Sequence, residues 1–344
     1  MPLKIDLNVL IFELTNDCNH TCKFCYNYWK GGSENHPVEK ASYNQARKVL
    51  KTVFRQASVK SISFSGGEPL LMPKIHDLML YSRMHKSNVS VLTNGTLLTE
   101  NSLESFCDLG VRRIQIPILS ANAGTHDALT QRKGSWARAV EAVRRVVERN
   151  PDLFNAVLVL NKQIMHELDE TLLFYESLHI KSVLVNRFNI GGLGRKYKTE
   201  LNLSHQELRE AFGKINRFAD RKTIRFYSGV CTPICVLNPV EYRNIAFSFC
   251  NKDISLRPVT INYKGEVRFC NHSPRILGNI FEKKLSKILL NDEYSTYFNT
   301  IPDYCKGCEL VERCGGGCRA ASEQVYNTFE KADPVLDDRQ QGYL

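Results

Sequence analysis

The sequence predicts an α/β fold, a partial (β/α)6 parallel barrel followed by a smaller cysteine-rich domain. Over the first two-thirds of the 344 residues, short apolar runs alternate with amphipathic segments. Strands joined by helices of that length normally run parallel with right-handed crossovers. From about residue 223 the alternation ends and cysteines follow in quick succession. We therefore expect one domain over residues 1–222 and a second over residues 223–344.

The strands and helices of the predicted barrel follow from apolar patterning. The runs that read as buried strands are 8–13, 61–65, 89–93, 113–119, 154–160 and 182–188. Amphipathic helical spacing lies between them, as at Ala46, Val49, Leu50, Val53 and Phe54. Ser204 and Glu207 have the spacing of a capping box at a later helix. Six such units are too few to close an eight-stranded barrel, and reactive groups are expected at the carboxyl ends of the strands.

The composition is that of an ordinary globular protein. The N-terminal region lacks the pattern of a secretory signal, and no apolar run approaches the roughly 18 residues of a membrane span, so we expect a cytoplasmic protein with no membrane partner. The formal net charge is +10, but no basic run with interleaved aromatics predicts nucleic-acid binding. In a long cytosolic chain, 12 clustered cysteines indicate metal binding rather than disulfides.

The first cysteine group is a C-x3-C-x2-C motif in the loop after the first predicted strand, at Cys18, Cys22 and Cys25. A loop can wrap three thiolates around one face of a 4Fe-4S cube, which leaves one iron free for an exchangeable ligand. The alternative is a zinc knuckle in which His20 or a distant group supplies the fourth ligand. Spacing alone does not separate these two interpretations.

Further motifs follow the next predicted strands, and together they favour the 4Fe-4S interpretation over the zinc knuckle. In chain order, the four strand-end motifs are Cys18-x3-Cys22-x-Phe24-Cys25, Ser65-Gly66-Gly67-Glu68-Pro69, Thr93-Asn94-Gly95 and Ser120. Each later motif alone is equally typical of a turn or a helix cap. Their ordered recurrence resembles the radical S-adenosylmethionine (SAM) superfamily.

The resemblance implies a cofactor site at these strand ends. The free iron of the cluster is expected to be chelated by the amino and carboxylate groups of SAM, with glycine allowing close backbone approach and Glu68 accepting from the ammonium. Reduction of the cluster, by a partner such as flavodoxin or ferredoxin, then yields a 5'-deoxyadenosyl radical that abstracts a substrate hydrogen. The residues expected to contact SAM are Phe24, Gly66, Gly67, Glu68, Thr93, Asn94, Ser120 and Asn161.

The C-terminal cysteines form two further motifs. C-x14-G-x4-C runs from Cys250 through Gly265 to Cys270, and C-x2-C-x5-C-x3-C comprises Cys305, Cys308, Cys314 and Cys318. The combination resembles the SPASM extension of radical SAM enzymes, which binds one or two auxiliary 4Fe-4S clusters. The two expected domains are therefore a radical SAM partial barrel over 1–222 and a SPASM or twitch-like iron-sulfur domain over 223–344.

The resemblance also implies how these cysteines divide between two clusters. The first would be held by Cys250, Cys270 and Cys318, and the second by Cys305, Cys308 and Cys314. Each set lacks a fourth ligand. We expect Cys235, in preference to Cys231, to complete the first, although a buried thiol with no ligand role is the simpler alternative.

The second set departs from the family, because no cysteine follows Asp333-Pro334. It either uses an oxygen ligand such as Asp333, stays open, or is absent, with its three cysteines on zinc. Cys107, on a predicted helix, is most simply a core residue.

Auxiliary clusters favour a net oxidation, a crosslink or an epimerisation over methyl transfer. The resemblance points to maturation of a ribosomally made peptide (RiPP). Two alternatives remain: radical chemistry on a small molecule, such as a sugar alcohol or tetrapyrrole intermediate, and a noncatalytic iron-sulfur or zinc protein. Sulfatase maturation is disfavoured because Asn271 stands where those relatives have aspartate.

Features near the N-terminus bear on the substrate. Cys18 lies so near the start of the sequence that we expect no leader-binding domain before it, so a separate leader-peptide-binding protein or the barrel itself would hold a leader. No side chain identifies a catalytic acid or base. Polar residues near the expected strand ends or clusters, left without a role, are Tyr26, Arg132, Arg187, Asn189 and Asn271.

Overall fold

A computed structural model describes residues 4–30, 41–221 and 223–341. Its strands are β1 (Ile5–Glu13), β2 (Ala57–Ser65), β3 (Asn88–Leu92), β4 (Arg113–Pro117), β5 (Phe154–Leu160), β6 (Ser182–Arg187), β7 (Arg225–Ser228), β8 (Ile245–Phe247), β9 (Pro258–Asn262), β10 (Glu266–Arg268) and β11 (Ile276–Asn279). The six predicted strands correspond to β1 through β6, and the α/β fold with a mostly parallel sheet is confirmed.

The helices lie mainly between these strands. They are α1 (Tyr43–Gln56), α2 (Ile75–Met84), α3 (Glu100–Asp108), α4 (Ala123–Thr130), α5 (Ser135–Arg149), α6 (Leu168–Ser177), α7 (Lys198–Leu201), α8 (His205–Asp220), α9 (Leu285–Leu289), α10 (Asp292–Asn299), α11 (Val311–Cys314) and α12 (Arg319–Tyr326). None of the helices in the described ranges is long and apolar enough to cross a membrane.

The chain divides into two compact units. The first comprises Met1–Asn19, Glu34–Gln115 and Asn251–Asn299, and the second comprises His20–Ser33, Ile116–Cys250 and Thr300–Leu344. Both units therefore combine residues from either side of residue 222, where the sequence alone placed a domain boundary. That boundary stays a prediction.

In the first unit the strand order is β11-β10-β9-β1-β2-β3-β4. Parallel pairing links β1 to β2, β2 to β3 and β3 to β4. On its other side β1 pairs in parallel with β9, which is followed by the antiparallel strands β10 and β11. Strands from the cysteine-rich part of the sequence thus extend the sheet beside β1, the strand that leads into the first cysteine motif.

Burial explains why these segments form strands and helices. Leu10 and Phe12 of β1 are fully buried, and the Phe12 ring meets Phe64 of β2 edge-on at 6.1 Å between centroids. Helix α1 buries the face that its apolar spacing predicts and begins with a capping box between Ser42 and Gln45. The packing of apolar helix faces on the parallel sheet therefore fixes the positions of the loops that follow the carboxyl ends of its strands.

The second unit has its own parallel set of strands in the order β5-β6-β7-β8. Helix α8 begins with the predicted capping box, because Ser204 Oγ accepts from Glu207 N at 3.2 Å while Glu207 Oε2 accepts from Ser204 N at 2.7 Å. Strands β7 and β8 were not predicted. They are short and lie where the apolar alternation has already ended.

Candidate cofactor and cluster site

The two glycines of Ser65-Gly66-Gly67-Glu68 lie against the loop that leads to Cys18. Gly67 N donates to Thr15 O at 2.6 Å. A Cβ on Gly66 would lie 2.3 Å from Thr15 O, and one on Gly67 would lie 1.9 Å from Asp17 O. Gly66 also has a φ of +132°, a conformation that favours glycine. These glycines are therefore required by the cysteine loop itself, in addition to any approach to a cofactor.

Glu68 is a buried carboxylate that joins two strand-end loops. Its side chain accepts from Thr93 Oγ1 at 2.6 Å and from Asn94 N at 2.8 Å, and it also accepts from Leu70 N at 3.0 Å. Its own N–H donates to Asp17 O at 2.8 Å. Glu68 therefore connects the loops that follow β1, β2 and β3. We call Gly66, Gly67, Glu68, Thr93 and Asn94 the acidic shelf.

Asn19 continues this network next to Cys18. Its side chain accepts from Asn94 Nδ2 at 2.7 Å and donates to Thr96 Oγ1 at 3.0 Å. Thr96 N in turn donates to Asn94 Oδ1 at 3.0 Å. Sequence reasoning missed Asn19 and Thr96. Only the position of Asn19 beside a cysteine and of Thr96 after the Asn94-Gly95 turn could have pointed to them.

A buried ion pair anchors the end of β1. Glu13, the last residue of β1, pairs with Arg268, and both side chains are almost fully buried. Arg268 Nη1 also donates to Ser273 O at 2.7 Å, in the loop that follows Cys270. Burial raises the pKa of Glu13, and the neighbouring guanidinium limits that rise. The pair therefore ties the start of the Cys18 loop to the chain around Cys270.

In the second unit, the backbone at Cys25 is held by the glycine-rich segment after β6. A Cβ on Gly192, which has a φ of +49°, would lie 2.6 Å from Cys25 O. Gly194 N donates to Cys25 O at 3.1 Å. Gln324 of α12 accepts from Gly192 N at 2.6 Å and donates to Tyr26 O at 3.1 Å. The sequence analysis singled out neither Gly192 nor Gln324 as a site residue.

Two other residues predicted to contact SAM, Ser120 and Asn161, form hydrogen bonds with other described residues. Ser120 hydrogen-bonds Glu167, and Ser120 Oγ accepts from Asn122 N at 2.8 Å. Asn161 donates to Val159 O at 2.8 Å and caps the next turn by accepting from Gln163 N at 3.0 Å. Their contact with SAM stays a prediction, as does that of Phe24, which is half-buried beside Cys25.

His20 lies within the cysteine motif as a neutral ring. Its pKa is lowered to about 4, first by burial and then by the nearby charges of Arg132, Lys30 and Arg138. Neither ring nitrogen has a hydrogen-bond partner among the described residues. A neutral imidazole is the form that binds metal, so the chemistry of His20 alone leaves the zinc alternative open.

Cys235 lies with the second set of C-terminal cysteines. Burial raises the pKa of Cys305 to about 11, and the thiols of Cys314, Cys235 and Cys308 each add to that rise, so all three lie within electrostatic range of Cys305. Cys314 is buried and its sulfur accepts from Ile234 N at 3.4 Å. Cys235 therefore lies near Cys305 and next to the residue that contacts Cys314, and its assignment to the set of Cys250, Cys270 and Cys318 stays a prediction.

Across residues 4–30, 41–221 and 223–341, no three His, Cys, Asp or Glu side chains are arranged to share a single metal ion. In a 4Fe-4S cube each cysteine binds a different iron, so its ligands need not converge on one point.

Asp333 is a buried carboxylate beside Cys318. It forms a buried ion pair with Arg187 at the end of β6, and it accepts from Cys318 N at 2.7 Å and from Val335 N at 2.9 Å. Asn189 Nδ2 donates to the Cys318 sulfur at 3.4 Å. These contacts engage both oxygens of the Asp333 carboxylate, and its ligation of the second set stays a prediction.

Comparison with known families decides between the metal chemistries. Residues 12–175 match the Radical SAM superfamily, and residues 250–309 match an iron-sulfur cluster-binding domain, SPASM. The chain is a radical SAM enzyme. Its radical SAM and SPASM domains imply 4Fe-4S clusters and SAM, and the buried acidic shelf and the grouped thiols have the donor types that these groups need.

The radical SAM enzyme has relatives along most of its length. It is 24% identical over 338 residues to the PqqA peptide cyclase of Gluconobacter oxydans, covering 95% of this chain and 89% of the relative. It is 25% identical to the AdoMet-dependent heme synthase of Methanosarcina barkeri, covering 95% of each. Its fold matches Streptococcus suis SuiB bound to the precursor peptide SuiA, with a TM-score of 0.75, 17% identity and coverage of 97% and 76%.

Proposed function

We propose that this radical SAM enzyme modifies a ribosomally made peptide by a crosslink, an oxidation or an epimerisation. The observation that carries the proposal is the full-length similarity to a PqqA peptide cyclase, which includes the SPASM domain as well as the radical SAM domain. The likeness in fold to SuiB, whose structure contains a precursor peptide, agrees with it. The substrate is then a peptide side chain or backbone carbon that gives up a hydrogen atom.

The residues of this chain have separate tasks in that reaction. When bound, the cluster and SAM would supply the radical chemistry that removes a hydrogen atom from the substrate. Cys18, Cys22 and Cys25 would hold that cluster, and Glu68, positioned by Thr93 and Asn94, would present negative charge to the ammonium of SAM. The glycine-rich segment around Gly192 fixes the Cys25 backbone.

A second candidate is radical chemistry on a tetrapyrrole. The AdoMet-dependent heme synthase of Methanosarcina barkeri is as similar to this chain as the peptide cyclase is, at 25% identity. The peptide cyclase and the heme synthase relatives therefore indicate two substrate classes, a peptide and a tetrapyrrole, which one experiment can distinguish. A low-potential donor such as flavodoxin or ferredoxin, a cytoplasmic location and a separate leader-binding protein complete the proposal.

The experiment is deuterium transfer in an oxygen-free assay. The reconstituted enzyme is incubated with SAM, dithionite and either a deuterated precursor peptide encoded near the gene or a deuterated tetrapyrrole. Deuterium in 5'-deoxyadenosine and a mass change in the peptide support peptide modification. Deuterium from the tetrapyrrole alone contradicts it and supports the second candidate.

A further inference from the structure

The turn that carries Cys235 is rigidly held. Val236 N and Leu237 N both donate to Pro233 O, at 2.9 and 3.1 Å. Arg209 of α8 donates to Cys235 O at 3.1 Å and to Val236 O at 3.0 Å. These bonds fix the main chain on both sides of Cys235, so the position of its Cα is set by the fold.

The facing loop is shaped to receive this turn. Gly316 and Gly317 have φ values of +78° and +87°. A Cβ on Gly317 would lie 2.8 Å from Pro233 Cγ, and one on Gly316 would lie 3.3 Å from the Cys305 sulfur. The absence of a side chain at Gly317 lets the Pro233 turn approach the segment between Cys314 and Cys318, and its absence at Gly316 leaves room for the Cys305 sulfur.

Direct contacts join the turn to the cysteines. Ile234 N donates to the Cys314 sulfur at 3.4 Å, and Cys235 is the next residue. Earlier in the same cysteine motif, Cys308 N donates to Cys305 O at 3.2 Å, which closes the turn between these two cysteines. We propose that Cys235 is the fourth thiolate of an auxiliary 4Fe-4S cluster whose other ligands are Cys305, Cys308 and Cys314.

The contacts of Asp333 agree with this assignment. Asp333 is held by Arg187 and by Cys318 N, so its carboxylate is engaged elsewhere. A thiol from the 231–237 segment thus takes the place of the cysteine that the family usually has after Asp-Pro.

Full thiolate ligation limits what this cluster can do. A four-iron cube with four cysteine ligands has no open iron, so it transfers electrons and does not bind substrate. The inference rests on the auxiliary iron-sulfur part of the proposed function but not on the substrate. It holds equally for a peptide and for a tetrapyrrole.

The test compares two cysteines of one segment in the full-length protein. In a Cys18→Ala, Cys22→Ala, Cys25→Ala background, iron, sulfide and Mössbauer spectra are measured for Cys235→Ala and for the matched control Cys231→Ala. We expect Cys235→Ala to lose about four irons per chain or to convert one four-iron cluster to a three-iron form. Cys231→Ala is expected to leave the second cluster unchanged.

Double variants identify the cluster to which Cys235 belongs. The number of four-iron clusters lost in Cys235→Ala should not increase when Cys305→Ala is added, and it should increase with Cys270→Ala. The opposite pattern, or an unchanged iron content in Cys235→Ala, overturns the proposal. Cys235→Ser, which preserves the size of the side chain, guards against a folding defect and is expected to shift the electron paramagnetic resonance (EPR) spectrum of the second cluster. An unaltered spectrum also overturns the proposal. Because no SAM or substrate enters these measurements, their failure is distinct from failure of the proposed peptide chemistry.

Discussion

Each of the two units contains a buried arginine–carboxylate pair at the end of a strand, but the two pairs act on their cysteines differently. In the first unit Glu13 ends β1, and its partner Arg268 binds the carbonyl of Ser273 in the loop after Cys270. In the second unit Arg187 ends β6, and its partner Asp333 accepts directly from Cys318 N. The first pair therefore stabilises the loop that follows Cys270, whereas the second contacts the backbone of a cysteine, Cys318, directly.

Breaking either pair should have the largest effect on stability. Glu13→Ala leaves the charge of Arg268 buried, and Arg187→Met leaves that of Asp333, so each is expected to lower the free energy of unfolding by about 3–5 kcal/mol. Urea denaturation of the reconstituted protein measures the change. The exposed pair of Lys214 and Asp169 provides the control, with Lys214→Met expected to cost less than about 1 kcal/mol. Equal losses at all three sites would contradict the importance given to burial.

Replacing both members of each pair should separate the two roles. Glu13→Leu with Arg268→Met removes both charges and the donor to Ser273 O, and Arg187→Met with Asp333→Leu removes both charges and the acceptor of Cys318 N. Each double variant is expected to lower the free energy of unfolding by about 1–3 kcal/mol, less than the single variants do. The EPR spectrum of the auxiliary clusters is expected to change more in the second double variant, because Asp333 accepts from the N–H of a cysteine. An equal spectral change in the two double variants would contradict the distinction between the two pairs.

A third buried carboxylate, Glu68, extends the comparison because it accepts from hydroxyl and backbone donors. Glu68→Gln keeps the shape but removes the charge, and hydrogen bonds to a charged group contribute about 1.5–3 kcal/mol. We expect SAM to bind about 10- to 100-fold more weakly, measured by equilibrium dialysis of the holoenzyme. Thr93→Val, which removes one donor to Glu68, should have a smaller effect. Unchanged affinity in Glu68→Gln would remove Glu68 from the cofactor site.

The smallest expected effect is at Gln324, which holds the Cys25 side of the first motif with neutral hydrogen bonds. Gln324→Ala removes its bonds to Gly192 N and Tyr26 O, and each such bond contributes about 1 kcal/mol. A small change in the SAM-induced EPR shift should accompany a loss of about 1–2 kcal/mol. Gln206→Ala, on the exposed face of α8, is the matched control. If both variants behave alike, Gln324 has no positioning role.

The sequence predicts the features that depend on residues close together in the chain. Strands β1 to β6 follow from buried apolar runs, and the acidic shelf follows from short motifs directly after β2 and β3. The ion pairs were not predictable, because Arg187 and Asp333 are far apart in the chain and nothing in either segment specifies its partner. The surroundings of Cys235 were not predictable for the same reason. Its neighbours depend on a turn held by Arg209 and on glycines at 316 and 317, which spacing does not reveal.

The central claim is that the cluster on Cys18, Cys22 and Cys25 has an open iron that binds SAM. EPR spectroscopy of the dithionite-reduced holoenzyme, with and without SAM, tests it most directly. The account predicts that SAM shifts one signal and that this signal is missing from the Cys18→Ala, Cys22→Ala, Cys25→Ala variant. A spectrum that SAM leaves unchanged in the fully reconstituted protein would contradict it.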